Sequence, residues 1–228
     1  MTRTDFYFDS RDNRTKIHGV KWVPDTTPVG ILILVHGMAE HIERYEGFAE
    51  FMCEKGFIVA GNDHLGHGKS MGHETKGYFC RRDPATVVVR DVHRLKKTIQ
   101  NEYQGLPVFI FGHSMGSLIT RNYITKYGSG VSGAILSGTL MMPKPVLGVM
   151  KVLVGILKLF QGSKHPSKLL DTAAFGTYCK RIENPKTEFD WLTRDEEEVS
   201  KYIADPNCGF YFTINGFSTL RELNTPVA

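Results

Sequence analysis

The sequence predicts an α/β fold in which a mostly parallel sheet is covered by helices on both sides. Four short, unbroken apolar runs read as buried strands, and stretches of helical length separate them. This alternation of strands and helices favours a parallel sheet. With 228 residues, 41% of them hydrophobic and 23% charged, the chain is long enough for one sizeable domain and shows neither disordered nor fibrous composition.

The predicted elements occupy the first 140 residues. "DFYF" and "KIHGVKWV", on either side of the polar turn "DSRDNRT", predict an antiparallel edge hairpin. Strands buried on both faces are predicted at 31–37, 57–63, 108–114 and 131–137, and helices at 45–55, 87–102 and 115–127. In such a sheet a ligand site lies beyond the carboxyl ends of the strands, where the polar residues of "VHG", "GND" and "GHS" gather.

The strand and helix rhythm is lost after residue 140. We expect residues 1–140 to form the core, 141–205 an inserted helical cap, and 206–228 the return to the core, where "LNTPVA" is strand-like. Within the cap, residues 145–161 are apolar on nearly every side except for Lys151 and Lys158. A bilayer requires about 20 apolar residues, so this segment is too short to span one.

Charge and cysteine usage limit the partners that we expect. The net charge of +4 comes from scattered Lys and Arg residues, and no basic run is interleaved with aromatics, so no nucleic-acid partner is predicted. Four cysteines without CxxC spacing favour reduced thiols. The first residues, "MTRTDFYFDS", contain no apolar signal segment, and a cytoplasmic location is expected. The oligomeric state is not predicted.

Ser114 is the candidate nucleophile. Residues 112–116, "GHSMG", fit G-x-S-x-G, follow the buried strand "VFIF" and open the predicted helix "SLITRNYITKY". This strand-turn-helix context is the one that the motif requires, and its glycines leave room for a strained turn. The alternative is a serine that caps the helix N-terminus. As oxyanion-hole donors we expect the backbone amides of Met115, at the helix start, and Met38, after the strand that ends in "VHG".

Two other motifs fail on inspection. Gly68-Lys69-Ser70 follows a strand, but Asp63 stands where a phosphate-binding loop requires glycine. His64, His67 and His73 share no helix face and no accompanying carboxylate pattern, and a Gly-rich loop explains the first two as hydrogen-bonded loop residues. Neither a metal nor any other cofactor is predicted.

Four segments in the right order carry a family resemblance: "HGMAEHIERY", "GNDHLGHGKS", "GHSMGS" and "FDWLTRDEEEVSKYIADPNCGF". Over its whole length the chain resembles the monoacylglycerol lipase and lysophospholipase group of α/β-hydrolases, of bacterial type. The resemblance implies an α/β-hydrolase fold, Ser114 as nucleophile and the Met38 and Met115 amides as oxyanion hole. It also implies that Glu40 and Arg44 hold the loop and a polar alcohol group, with His113 lining the pocket; a surface ion pair or a solvated helix start is the open alternative for Glu40 and Arg44.

The resemblance favours one interpretation of residues 145–161. A cap helix that is apolar inside would receive an acyl chain, and its lysine-fringed outer side would make transient contact with a membrane surface. A buried core helix is the alternative. Long-chain monoacylglycerols or lysophospholipids are the substrates that fit this route.

The remaining members of a catalytic triad are missing from the predicted positions. After Ser114 an acid and then a histidine are required, but the only later histidine is His165, within the cap. Four candidate acids read as helix caps or solvated positions: Asp171, Asp190, Asp195 and Asp205. We expect the triad acid and histidine to lie beyond residue 228, because a sheet that lacks its last strands would expose a buried edge; a separate chain and a non-catalytic relative remain open.

A serine hydrolase of single-chain lipid esters is therefore the leading hypothesis. A non-catalytic lipid-binding protein and an acyltransferase that uses the same serine are the alternatives.

Overall fold

A computed structural model describes residues 1–72 and 74–225 and contains a six-stranded sheet. The strands are β1 (Thr2–Asp9), β2 (Lys16–Val23), β3 (Gly30–Val35), β4 (Phe57–Asn62), β5 (Val108–His113) and β6 (Gly133–Ser137). Their order across the sheet is β1-β2-β4-β3-β5-β6, with β1, β2 and β4 joined by antiparallel pairing and β4, β3, β5 and β6 by parallel pairing. The predicted mostly parallel sheet with an antiparallel edge hairpin is confirmed.

The centre of the sheet explains the unbroken apolar runs. All six residues of β3 are buried. Ile31 and Ile33 belong to one hydrophobic cluster, whereas Leu32 and Leu34 belong to a second cluster that also contains residues of the first helix. Both faces of β3 are therefore covered, and each of these side chains contributes about 1.5–3 kcal/mol of burial free energy.

Seven α-helices accompany the sheet in the described residues. They are α1 (Glu46–Glu54), α2 (Pro84–Glu102), α3 (Met115–Tyr127), α4 (Lys144–Gln161), α5 (Lys168–Phe175), α6 (Glu196–Ala204) and α7 (Ile214–Asn224). The three helices predicted within the first 140 residues are confirmed as α1, α2 and α3, with boundaries shifted by three residues or fewer. Residues 141–205 contain helices α4 to α6 and no strand, as expected for a helical insertion.

The prediction that β6 is buried on both faces is wrong. Ile135 is 52% exposed and Leu136 is 38% exposed. Within the described residues, β6 pairs with β5 alone, so its second edge and much of its surface are uncovered. The apolar sequence correctly predicts a strand, but whether that strand is buried depends on the strands and helices that lie beside it in the fold.

The end of the chain also differs from the sequence prediction. Leu223 and Asn224, the first residues of "LNTPVA", belong to helix α7, and residues 226–228 of that segment lie outside the described residues. Thr213 caps α7, because its side-chain oxygen accepts a hydrogen bond from the Gly216 amide. Phe217, Leu220 and Leu223 form the buried face of the helix, which packs against α2, α3 and α4.

Helix α4 has one buried side and one exposed side. Leu147 and Val154, seven residues apart, are buried, and the helix packs against α7. Six large apolar side chains of α4 are exposed: Val146, Val149, Val152, Ile156, Leu159 and Phe160. Over the described residues, no helix has the length and apolar character that crossing a membrane requires.

Candidate active site

Ser114 lies at the sharp turn between β5 and α3. Its backbone has φ 51° and ψ −118°, a left-handed conformation that a serine adopts only when its surroundings hold it there. Ser114 occupies the N-cap position of α3, yet its side chain accepts no capping hydrogen bond from the helix. The alternative in which Ser114 is an ordinary helix cap therefore fails, and the hydroxyl is left available to the cavity that it lines.

The two glycines of the pentad make this turn possible. A Cβ atom on Gly116 would lie 1.9 Å from the Val35 carbonyl oxygen, and one on Gly112 would lie 2.3 Å from the Thr120 hydroxyl oxygen. Both distances are far below van der Waals contact. The turn is further held by the Ser114 amide, which donates a hydrogen bond of 2.9 Å to the Ser137 carbonyl at the end of β6.

Two backbone amides are free to act as oxyanion donors. Met115 is the first residue of α3, so its N–H points out of the helix N-terminus. Met38 follows β3 and lines the same cavity as Ser114. In the part of the chain that the structure describes, neither amide donates a hydrogen bond to another protein group.

Glu40 organises the loop that carries Met38. Its carboxylate accepts hydrogen bonds from the Gly37 amide at 2.5 Å and from the Tyr45 hydroxyl at 2.8 Å, and it pairs with the Arg44 guanidinium. Only 5% of Glu40 is exposed. Glu40 is thus a buried loop anchor and no solvated helix start, while Arg44 lies at the cavity wall with its guanidinium over the Tyr202 ring.

Buried histidines contact the loop that carries Met38, since the Ala39 amide donates a hydrogen bond to His67 Nε2. The His64 amide donates to His36 Nε2 at 3.0 Å, and His67 bonds to the Leu65 carbonyl through Nδ1 at 2.9 Å. Burial lowers the pKa of His64 to about 3 and that of His67 to about 4, so both rings are neutral at physiological pH. His64 and His67 are hydrogen-bonded loop residues as predicted, and His73 lies outside the described residues.

A cavity of about 410 Å³ opens at Ser114. His113, Arg44 and the 37–40 loop line it beside Ser114, and the other lining residues come from α5 and residues 176–211. The apolar part consists of aromatic and aliphatic side chains: Phe175, Phe189, Trp191, Leu192 and Phe210. Its volume falls in the range of about 300–1,000 Å³ that is usual for small-molecule sites.

Helix α4 does not line this cavity in the described structure. The prediction that its inner side receives an acyl chain is therefore wrong. The reason is packing, because the inner side of α4 is already covered by α7. The apolar wall is instead built by α5, by residues 176–195, which contain no α-helix or strand, and by Phe210.

The cavity wall carries an excess of negative charge. Asp171 and Glu188 both line it, and burial together with Glu188 raises the pKa of Asp171 to about 6. Glu198 also lines the cavity but is paired with Lys201. The remaining cation of the wall, Lys168, has no ion-pair partner among the described residues, so two carboxylates stand against one ammonium group. Asp171 lies in the first turn of α5, half-buried and lining the cavity, with Ser167 and not Asp171 as the helix cap.

The other predicted positions lie away from Ser114. Asp195 caps α6 by accepting hydrogen bonds from the Glu197 and Glu198 amides, as predicted. Asp190 accepts hydrogen bonds from the Lys186 and Thr187 amides within its own loop. His165 is exposed and is not part of the cavity wall. Among residues 1–72 and 74–225, no histidine forms a hydrogen bond with the Ser114 hydroxyl.

Sequence reasoning missed the residues that join the 202–209 segment to the Met38 loop. The Tyr202 hydroxyl and the Gly209 amide both donate hydrogen bonds of 3.0 Å to the Ala39 carbonyl. Asp205 bonds to His41 Nε2 at 2.7 Å, across 164 positions of sequence. No local pattern marks such distant partners.

Comparisons with known proteins place the chain among hydrolases. A family model described as serine aminopeptidase, S33, matches residues 26–225. The chain is similar to the monoacylglycerol lipase of Mycolicibacterium smegmatis, with 33% identity over 185 residues that cover 81% of this chain and 58% of the relative. It is also similar to the human monoglyceride lipase, with 34% identity over 81% of this chain and 54% of the relative. The chain thus spans somewhat more than half of the length of these curated relatives.

A solved structure shows the same fold. The carboxyl esterase from Bacillus coagulans, determined in complex with glycerol, matches 100% of this chain and 74% of its own chain, with a TM-score of 0.89 and 31% identity. The likeness covers the sheet, the helical insertion and the loops around the cavity.

Proposed function

We propose that this chain, which belongs to the serine aminopeptidase S33 family and has an α/β-hydrolase fold, forms part of a serine hydrolase of monoacylglycerols or related single-chain lipid esters. The observation that carries the proposal is the conformation of Ser114. It has a positive φ at the N-terminus of α3, its hydroxyl does not cap the helix, and it lines the cavity. The curated relatives named above are monoacylglycerol and monoglyceride lipases, which supports the substrate class.

The reaction follows from the groups around the serine. Ser114 Oγ attacks the ester carbonyl, the Met38 and Met115 amides bind the oxyanion, and the alcohol leaves to give an acyl-enzyme on Ser114. Water then releases the fatty acid. The proton of Ser114 requires a base held by a carboxylate, and we place both groups outside the described residues, because no described histidine bonds to Ser114.

The head group is proposed to lie near Arg44 and His113. Glu40 accepts hydrogen bonds from Gly37, Arg44 and Tyr45, so its role is to position the loop, and the N–H groups of Arg44 that do not face Glu40 would donate to an alcohol oxygen. The excess of carboxylates at Asp171 and Glu188 disfavours a phosphate, so a neutral monoacylglycerol fits better than a lysophospholipid.

The division into core (1–140), cap (141–205) and return segment (206–228) remains a proposal, supported by the helices that follow β6. We propose that the exposed face of α4 makes transient contact with a membrane surface. Val149, Leu159 and Phe160 are 69%, 80% and 81% exposed on a helix that also carries Lys144, Lys151 and Lys158. The enzyme is proposed to be cytoplasmic, consistent with four free cysteines.

A non-catalytic lipid-binding protein is the second candidate, and it is favoured because no histidine among the described residues forms a hydrogen bond with Ser114. It would keep the cavity and its aromatic wall without turnover. An acyltransferase would use the same serine and differ only in the acceptor.

A fluorophosphonate probe separates the two candidates. Because the base is placed outside the described residues, the probe is applied to a protein that contains this chain together with the segment that supplies the base. We expect one adduct by intact mass, absent from the Ser114→Ala variant and retained by Ser200→Ala, the matched control at an exposed position of α6. If that protein binds a long-chain monoacylglycerol but forms no adduct, it is a binding protein. Neither binding nor adduct would overturn both candidates.

A further inference from the structure

Three potential metal ligands lie together where residues 205–208 contact the Met38 loop. His41 offers Nε2, Asp205 offers a carboxylate oxygen and Cys208 offers a thiol, and all three atoms lie within 4.8 Å of one another. None of these residues lines the cavity that contains Ser114. The cluster is therefore separate from the candidate active site.

The three side chains are held in place before any ion arrives. His41 Nε2 and Asp205 Oδ2 are 2.7 Å apart, and the side chain of His41 is only 9% exposed. Asp205 Oδ1 accepts a hydrogen bond of 2.7 Å from the Asn207 amide, and the Cys208 amide donates one of 3.0 Å to the Asp205 carbonyl. Fixed ligands on two separate segments lower the ordering cost of binding an ion.

The chemistry of the set suits one class of ion. A thiolate, an imidazole and a carboxylate are the ligands that Zn²⁺ accepts, in a tetrahedron with bond lengths of about 2.0–2.3 Å. Those lengths place neighbouring ligand atoms about 3.5 Å apart, so the His41 and Asp205 side chains need to separate by less than about 1 Å. Asp205 is 29% exposed and leaves a direction open for a water as the fourth ligand.

The surroundings also accommodate a dication. Glu43 Oε2 lies 4.0 Å from His41 Nδ1, the ring nitrogen that the ion would leave free, and carboxylates commonly hold that nitrogen in metal sites. The nearby Arg44 is neutralised by Glu40. Local charge therefore does not oppose binding.

We propose that His41, Asp205 and Cys208 form a Zn²⁺ site that clamps the return segment to the Met38 loop. Binding exchanges the thiol proton of Cys208 for a sulfur–zinc bond and releases that proton to solvent, with no change of oxidation state. None of the three ligands contacts the Ser114 cavity, so the proposed metal site can be tested independently of the proposed hydrolase activity.

Cobalt provides the test, because Co²⁺ occupies such sites and a cobalt–thiolate bond absorbs in the near ultraviolet. Titration of the 228-residue chain is expected to give one Co²⁺ per chain with this absorption, which excess Zn²⁺ removes. Cys208→Ser should abolish the absorption, whereas Cys53→Ser and Cys80→Ser, which alter two other buried free thiols, should retain it. An absorption that persists in Cys208→Ser, or the absence of saturable binding by the unaltered chain, overturns the proposal.

A second variant keeps the test decisive if Cys208→Ser fails to fold. Asp205→Asn preserves a hydrogen bond to His41 and leaves the thiol in place. We expect it to keep the cobalt–thiolate absorption but to bind at least about tenfold more weakly. Unchanged affinity would show that Asp205 is no ligand and that its contact with His41 is an ordinary hydrogen-bonded pair.

Discussion

The cavity has two walls that differ in construction. On the core side, the Gly37–Glu40 loop is held by buried hydrogen bonds. The Ser114 turn is held by a close backbone approach that is possible only because Gly112 and Gly116 have no side chain. On the opposite side, which we call the cap wall after the proposed cap, Lys168, Thr172 and Glu188 are exposed and belong to a short helix and to a segment without helix or strand. The comparison teaches that the groups proposed to react depend on backbone placed by the sheet, whereas the proposed contacts with a substrate depend on side chains that can change at little cost to stability.

The largest expected effect is on the core wall. Gly116→Ala drives a Cβ into the Val35 carbonyl, and we expect a loss of about 3 kcal/mol in the free energy of unfolding together with loss of probe labelling. Urea denaturation measures the stability. Gly148→Ala is the matched control, since nothing lies within 4 Å of its added Cβ inside α4, and it should stabilise the chain by about 0.5–1 kcal/mol. Equal effects of the two substitutions would contradict the difference between the walls.

Glu40→Ala should act on the same wall with a smaller effect. It leaves the Gly37 amide, Arg44 and Tyr45 without their acceptor, at an expected cost of about 2–3 kcal/mol, and it should reduce probe labelling by disordering the Met38 loop. Glu50→Ala, at an exposed position of α1, is expected to change stability by less than about 0.5 kcal/mol. If Glu40→Ala is as stable as Glu50→Ala, the loop is held by other contacts.

The cap wall should respond in selectivity and not in stability. We expect Asp171→Asn combined with Glu188→Gln to reduce the preference for monoacylglycerol over lysophosphatidylglycerol by about tenfold, because two charges that repel the phosphate are removed. The free energy of unfolding should change by less than about 0.5 kcal/mol. Displacement of a fluorescent fatty-acid analogue from the cavity by the two lipids measures the preference and does not depend on an activated Ser114. An unchanged ratio would place the head group away from these carboxylates.

The smallest expected effect is a pH dependence of the same preference. The pKa of Asp171, raised to about 6 by burial and by Glu188, means that this carboxyl gains its charge as pH rises from 5 to 7. The preference for the neutral lipid should therefore increase about three- to fivefold over that interval. The phosphodiester of lysophosphatidylglycerol does not titrate there, so the change belongs to the protein. Asp171→Asn should flatten the profile, and a profile that survives this substitution would assign the titration to another group.

The sequence predicted the core wall well because its signals are local. Ser114, its flanking glycines and the strand and helix on either side are contiguous, and the structure finds the turn where the motif lies. Buried strands β3 to β5 were predictable for the same reason, since each carries its apolar run within six residues.

The cap wall could not be predicted because its contacts are distant in sequence. Helix α4 is apolar on both sides, so its composition alone does not tell whether the inner side meets a ligand or α7. Asp171 reads as a polar residue of a helix, and only the fold brings it to Glu188 and into the cavity. The exposure of β6 depends likewise on which strands lie beside it.

The Ala39 carbonyl accepts hydrogen bonds from both Tyr202 and Gly209, and this sharing has a mechanical consequence. Any outward movement of α6 and the segment after it breaks both bonds at one atom, next to the amide proposed to bind the oxyanion. The position of residues 202–209 and the geometry of the proposed oxyanion site are thereby coupled, so a substitution at either donor would be felt at the Met38 amide without touching it.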